Sequence, residues 1–94
     1  MGVLEIADQI KPKVESVGFE RSVKFDTGQD GVIVIDGATI STTDAPADCT
    51  IKLSLSDLED LVSGDLSPTT AFMTGKIKIE GDMSVAMALS QLIG

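Results

Sequence analysis

The order of periodicities along the chain predicts an α+β fold, with helices covering a mostly antiparallel sheet of about four to five strands. Three observations carry this. A helical apolar stripe opens the chain and another closes it. Between them, β-branched segments alternate in and out across glycine turns. Two short capped helices then precede the last strand, so strands and helices come in segregated runs rather than one for one.

Each element has its own signal. In VLEIADQIKPKVESVG, Val3, Ile6, Ile10, Val14 and Val17 recur at spacings of three and four, which places them on one helical face. Pro12 lacks a backbone donor and restricts Lys11, so a kink or two short helices are expected there, with Gly18 as the stop. SVKFDTGQDGVIVIDG reads as a hairpin: Val23 and Phe25 alternate with Ser22, Lys24 and Asp26, and TGQDG supplies turn residues. VIVI is a β-branched run that suits a strand buried on both faces or nearly so. Asp36-Gly37 marks a turn or a bulge before ATIST; the sequence leaves both open.

TTDAPAD is a loop. In CTIKLSLS, Cys49, Ile51, Leu53 and Leu55 alternate inward against Thr50, Lys52 and Ser54. Ser56 then caps a helix, with Glu59 completing a capping box, Leu58, Leu61 and Val62 as the apolar side, and Gly64 as the stop. In SPTTAFMTG, Ser67 caps a second short helix, Pro68 takes the first turn and Gly75 ends it. KIKIE is a strand with Ile77 and Ile79 inward; Gly81-Asp82 turns the chain, and Asp82 caps a final helix from Met83.

The chain has 94 residues, enough for one domain over residues 1–94 with one modest core. It is 43% hydrophobic and 23% charged, a globular balance, and the 3% aromatic share makes that core aliphatic. The net charge of −8 argues against nucleic acid, which is bound through clustered Lys and Arg. It also offers no polybasic patch for anionic lipid: Lys76 and Lys78 around Ile77 are too few to make one. Cys49 is alone, so no internal disulfide forms, and its alternating context marks it as a small buried hydrophobe. No apolar run approaches membrane-spanning length and no signal sequence opens the chain, so a cytoplasmic protein is expected.

Catalytic chemistry has little to work with. There is no His, which removes the commonest general base and metal ligand and excludes Ser–His and Cys–His nucleophile systems. Zinc spacing is absent, the acidic loops lack a calcium-loop pattern, and GQDG joins two strands instead of opening a phosphate-binding helix. No metal or cofactor is therefore expected. Asp57, Glu59, Asp60 and Asp65 read as a solvated acidic face, and Asp36 is the one carboxylate set after an apolar run, where turn formation is the competing role. Arg21, the sole arginine, either anchors a carboxylate or phosphate through forked hydrogen bonds or is solvated.

The closing segment GDMSVAMALSQLIG carries more apolar residues than one stripe needs. Advancing by ~100° per residue groups Val85, Leu89, Leu92 and Ile93 in one arc, with Ala86 and Ala88 at its margins. Met83 and Met87 fall together on another side. That pair adds to the core under further elements, faces a partner chain, or lines a cavity for an apolar ligand. Methionine suits adaptable surfaces, and Phe72 and Met73 are candidate neighbours.

From Cys49 to the end, and most strongly from Ser56 to Leu89, the chain resembles the sterol carrier protein 2 (SCP-2) domain family. The resemblance rests on S-D-L-E-D-L, the glycine stop, P-T-T-A-F-M-T-G-K, K-I-E-G-D-M and A-M-A-L in that order. The first half matches in pattern and order only. The resemblance implies a curved sheet and helices enclosing an apolar tunnel. It also implies binding of a fatty acid, fatty acyl-CoA or sterol-like lipid and its transfer between membranes, with no metal and no reaction catalysed by the domain itself. Lipid contacts then fall on Leu61, Val62, Phe72, Met73, Met83 and Met87.

Departures are the short N-terminal helical region, VIVI in place of aromatics, and a Leu92-Ile93-Gly94 end without the peroxisomal tripeptide of eukaryotic members. They suggest a bacterial-type, stand-alone cytoplasmic domain. The expected partner is an apolar lipid, with transient membrane contact, no nucleic acid, and a monomer or homodimer as the oligomeric state. The alternative is a non-enzymatic interaction or dimerisation module using the same apolar face. An enzyme for an apolar substrate would need a carboxylate of raised pKa inside the cavity.

Overall fold

The structure, a computed structural model, describes residues 2–17, 21–85 and 87. The elements are α1 (Val3–Val17), β1 (Ser22–Asp26), β2 (Val32–Asp36), β3 (Thr39–Ser41), β4 (Cys49–Lys52), α2 (Leu55–Ser63), α3 (Pro68–Met73) and β5 (Lys78–Gly81). A helical stretch begins at residues 83–85. The strands form one five-stranded sheet in the order β3-β2-β1-β4-β5. Every pairing is antiparallel except β1 with β4, which is parallel.

The α+β expectation is met, and the local chemistry explains each turn. TGQDG closes the β1–β2 hairpin through a 3-10 turn at Gly28–Asp30. Gly28 and Gly31 both take positive φ there, and Thr27 binds the Gly31 carbonyl through its N–H (3.0 Å) and its hydroxyl (2.6 Å). Asp36-Gly37 is a turn, not a bulge: Asp36 pairs with Thr39 across a two-residue loop in which Gly37 has φ 63°. ATIST thus supplies the fifth strand. The connection from β3 to β4 passes over the face of the sheet opposite the core, where Lys24 meets Asp44 of that loop at 2.7 Å.

One face of the sheet carries Val23, Phe25, Ile33, Ile35, Cys49 and Ile51, all in the core. Ile6, Ala7, Ile10 and Val14 of α1, Leu53 just before α2, Leu58, Leu61 and Val62 of α2, Ala71 of α3, Ile77 and Val85 complete that core. Val34 is buried on the opposite face, in register with Lys24, so VIVI is covered on both sides as its composition implies.

Of the two outcomes expected at Pro12, division into two short helices is not found: α1 is continuous from Val3 to Val17. Pro12 and Asp8 are both exposed, so the Asp8 carbonyl that loses its helical donor faces water. The buried stripe runs on either side of Pro12, and Ile10 and Val14 each contribute about 1.5–3 kcal/mol of burial against a proline cost of about 3 kcal/mol. The expected capping residue of the helix after β4 needs correction. That helix is capped by Ser54, not Ser56: the Ser54 hydroxyl accepts the Asp57 N–H at 3.1 Å. The strand therefore stops at Lys52, and Leu55 packs against the core from the first helical turn. The Gly18 stop lies outside the described residues.

Candidate functional site

The segments that carry the six sequence-predicted lipid contacts are α2, α3 and the helical stretch after β5. On α2, the Ser54 cap and the Gly64 terminus (φ 86°) fix the rotation of the helix. That rotation turns Leu58, Leu61 and Val62 into the core. Leu61 and Val62 therefore come together as core wall, buried with the sheet residues.

The short helix α3 begins with Pro68 in its first turn and is anchored by fully buried Ala71. Its end is locked by paired backbone bonds: Lys76 N–H to the Ala71 carbonyl at 2.9 Å and Gly75 N–H to the Phe72 carbonyl at 3.2 Å. With Ala71 inward, Phe72 and Met73 stay outside, at 48% and 79% exposure.

The start of the last helix is held from three directions. Asp82 donates its N–H to the Asp48 carbonyl at 3.1 Å, its Oδ1 accepts the Ser84 N–H at 2.9 Å, and its Oδ2 pairs with Arg21. The expected Asp82 cap is thus present, and Arg21, exposed to water, meets this carboxylate through a single nitrogen and not through a forked pair. Hydrogen bonds from the Ser84 hydroxyl and backbone hold the Asp82 carboxyl below the usual carboxylate range, with Arg21 adding to the effect. This geometry sends Val85 into the core and leaves Met83 and Met87 at 48% and 70% exposure. The two-sided reading of GDMSVAMALSQLIG holds for these residues; Ala86, Ala88, Leu89, Leu92 and Ile93 lie outside the described residues. Of the three roles open for the methionine pair, extra core is not what the structure shows.

The structure therefore divides the six residues: two are core wall and four are apolar surface. Ser22 and Asp48, which tie β1 to β4 beside this site, carry no sequence signal. The Asp48 N–H donates to the Ser22 hydroxyl at 2.9 Å, and the Asp48 carboxylate accepts the Ser22 N–H at 3.1 Å. Burial pushes the Cys49 thiol up, and the nearby Asp82 charge pushes it further. Asp36 is exposed at the corner of the β2–β3 hairpin, the turn role expected as its competitor. Among the described residues, no group of three or more Cys, Asp or Glu is placed to hold a metal ion, and no helix is long and apolar enough to cross a membrane.

Residues 7–94 match the family model of the SCP-2 sterol transfer family. Sterol carrier protein 2 of Bos taurus is 41% identical over 70 residues, which are 69% of this chain and 13% of that protein. The chain thus spans only a small part of the curated relatives it matches. The sterol carrier protein domain 2 of Helicoverpa armigera is 32% identical with a TM-score of 0.61, covering 90% of this chain and 71% of that one. Palmitated SCP2L2 of Aedes aegypti superposes with a TM-score of 0.79 at 24% identity, over 99% of this chain and 95% of that one, and supports the fold.

Proposed function

The chain belongs to the SCP-2 sterol transfer family, and we propose that it binds an apolar lipid in a hydrophobic tunnel and transfers it within the cytoplasm without catalysing a reaction. The lipid is a fatty acid, a fatty acyl-CoA or a sterol-like molecule. The whole of residues 1–94 serves as this one lipid-binding domain. Leu61 and Val62 form its inner wall, while Phe72, Met73, Met83 and Met87 meet the ligand from the two flanking helical segments. The palmitated relative from Aedes aegypti supports a fatty-acyl ligand.

One observation carries the reading. The core closes with Ala71 and Val85, yet Phe72, Met73, Met83 and Met87 are left with large exposed apolar area in a chain of net charge −8. Apolar area that stays exposed is available to a ligand. A fatty acyl chain of about sixteen methylene-sized groups contributes roughly 13 kcal/mol on burial, at ~0.8 kcal/mol each. Association costs of about 4–15 kcal/mol bring the net towards micromolar or weaker binding. Such affinity needs no strong polar anchor and is reversible, as transfer demands.

The test is titration of the delipidated protein with a fluorescent fatty acid. Saturable binding that is lost in a folded Met87→Asp variant supports the proposal. Absence of saturable binding, or binding that Met87→Asp leaves intact, overturns it. The exposed methionines equally suit a protein interaction or dimerisation module. Sedimentation at several concentrations would show that reading as a constitutive dimer that Met83→Asp dissociates.

A further inference from the structure

We infer that the free edge of β5 pairs with the β5 edge of a second copy of this chain, antiparallel about a two-fold axis at Ile79. The sheets of the two copies then continue into one across Lys78, Ile79 and Glu80. This goes beyond lipid carriage and does not depend on it.

β5 is one edge of the sheet and is bonded to β4 alone. Two hydrogen bonds fix which of its backbone groups point outward. The Asp82 N–H donates to the Asp48 carbonyl at 3.1 Å, so alternation makes Thr50–Glu80 and Lys52–Lys78 the bonded pairs. On β4 the Leu53 N–H turns the other way, to the Asp26 carbonyl beside β1 at 3.2 Å, as that alternation requires. The Ile79 N–H and C=O therefore point away from β4, and neither has a partner among the described residues. The end of α3 bounds this edge at Ile77, whose N–H reaches the Ala71 carbonyl at 3.4 Å. From Lys78 onwards the edge is open, with Lys78 and Glu80 exposed and Ile79 half-buried.

Unpaired edge groups are a template for another strand, and charged side chains decide which strand is accepted. The positions alternating with Ile77, Ile79 and Gly81 are Lys76, Lys78, Glu80 and Asp82. Two cations are followed by two acids, and Ile79 stands at the centre. Reversed upon itself, this pattern sets the second copy's Glu80 beside Lys78 and its Asp82 beside Lys76. Within the chain, Lys78 stands in register with Lys52, a like charge, while Lys52 reaches diagonally to Glu80 at 3.3 Å. Lys76 and Lys78 have no ion pair among the described residues, and Asp82 is shared with Arg21. The second copy thus supplies Lys78 with the acid that its own sheet lacks, and the two Ile79 residues exchange a pair of backbone hydrogen bonds.

The opposite edge of the sheet gives no such match, because Thr39, Ile40 and Ser41 of β3 carry no charge. Association therefore closes at two copies instead of running on edge after edge. The net charge of −8 opposes any self-association, and residues 66–79, which contain no Asp or Glu, bring the least of it to this edge. The paired stretch is short, so the dimer is weak and reversible.

The experiment is sedimentation velocity of the full chain over a range of concentrations. Wild type is expected to show a reversible monomer–dimer equilibrium. Lys78→Glu sets a carboxylate against the second copy's Glu80, and Glu80→Lys sets an ammonium against its Lys78. Each single variant should weaken the dimer by about tenfold. In an equimolar mixture of the two variants every pairing of positions 78 and 80 is again opposite in charge, so dimerisation should return, as a heterodimer. That return also shows both variants to be folded. Wild type that stays monomeric at millimolar concentration, single variants that dimerise like wild type, or a mixture that stays monomeric would overturn the inference. So would a dimer lost in Met83→Asp but kept in both charge reversals, which would assign self-association to the methionine surface.

Discussion

Ser22 and Asp48 hold each other from both sides: the Asp48 N–H donates to the Ser22 hydroxyl, while the Asp48 carboxylate accepts from the Ser22 N–H and, at 3.3 Å, from its hydroxyl. They stand at the start of β1 and just before β4, the sole parallel pair in the sheet. Hairpin turns hold β1 to β2 and β2 to β3, but no turn joins β1 to β4. This clasp supplies the local register that a turn supplies elsewhere.

Ser22→Ala and Asp48→Ala should therefore each destabilise the fold by about 1 kcal/mol, the net value of an ordinary hydrogen bond. The double variant should fall only slightly short of the sum, since each change removes its own backbone-donated bond and the two share only the hydroxyl–carboxylate bond at 3.3 Å. Urea denaturation of the four proteins checks this; two single variants as stable as wild type would remove the clasp from the account.

The position of the cap on α2 separates two serines. Ser54→Ala removes the acceptor of the Asp57 N–H and should cost about 1 kcal/mol. Ser56→Ala, an exposed change inside the first turn, should be close to neutral or slightly stabilising. Thermal melts of the pair read the difference directly, and the reverse order would restore the cap to Ser56.

Gly81 and Gly64 both take positive φ, at 102° and 86°, yet their surroundings differ. A Cβ on Gly64 meets nothing within 4 Å, so Gly64→Ala should cost only the left-handed conformation, about 1–2 kcal/mol. A Cβ on Gly81 would overlap the Asp48 carbonyl oxygen and approach the Cys49 Cα at 3.2 Å. Gly81→Ala should cost about 3 kcal/mol or more, or prevent folding, because β4 and β5 cannot separate without breaking their register. Denaturation midpoints of the two variants test the ranking.

Acid should loosen the start of the last helix. The Asp82 carboxyl is held low by the Ser84 hydroxyl, the Ser84 backbone and Arg21, and that of Asp44 by Lys24. A folded-state pKa below the unfolded value of about 3.9 means stability present above that value and lost as pH falls through the folded pKa. The difference in melting temperature between wild type and Asp82→Asn should thus be largest near neutrality and shrink in acid below about pH 4. A difference that stays constant with pH would remove the Asp82 carboxylate from the pH response.

Much of the fold was legible because its signals are local. Periods of two and of three to four residues, Pro68 at the start of α3 with the Gly75 stop, and the TGQDG turn each depend on a few adjacent residues. They identified every helix and strand now described except β3, which ATIST left open, and the expected Ser67 cap makes no side-chain bond. One local reading went astray where neighbouring signals competed, and one of two alternatives fell at Pro12. Ser54 and Ser56 both offer a cap, and the choice depends on whether Leu55 packs from a strand or from a helix. Pro12 breaks helices in isolation, and only burial of Ile10 and Val14 against the sheet overrides it.

By itself the sequence determined the order of the elements apart from β3, the inward faces, the absence of histidine chemistry and the surplus of apolar residues at Phe72, Met73, Met83 and Met87. The tertiary structure decided what only distant residues can decide. It set β4 parallel to β1, joined Ser22 to Asp48 and Arg21 to Asp82, and sorted Leu61 and Val62 into the core while leaving the Phe and Met side chains outside. The physical reason is range. Propensity and capping act within a turn of chain, whereas burial depends on which surfaces meet after the chain has closed upon itself.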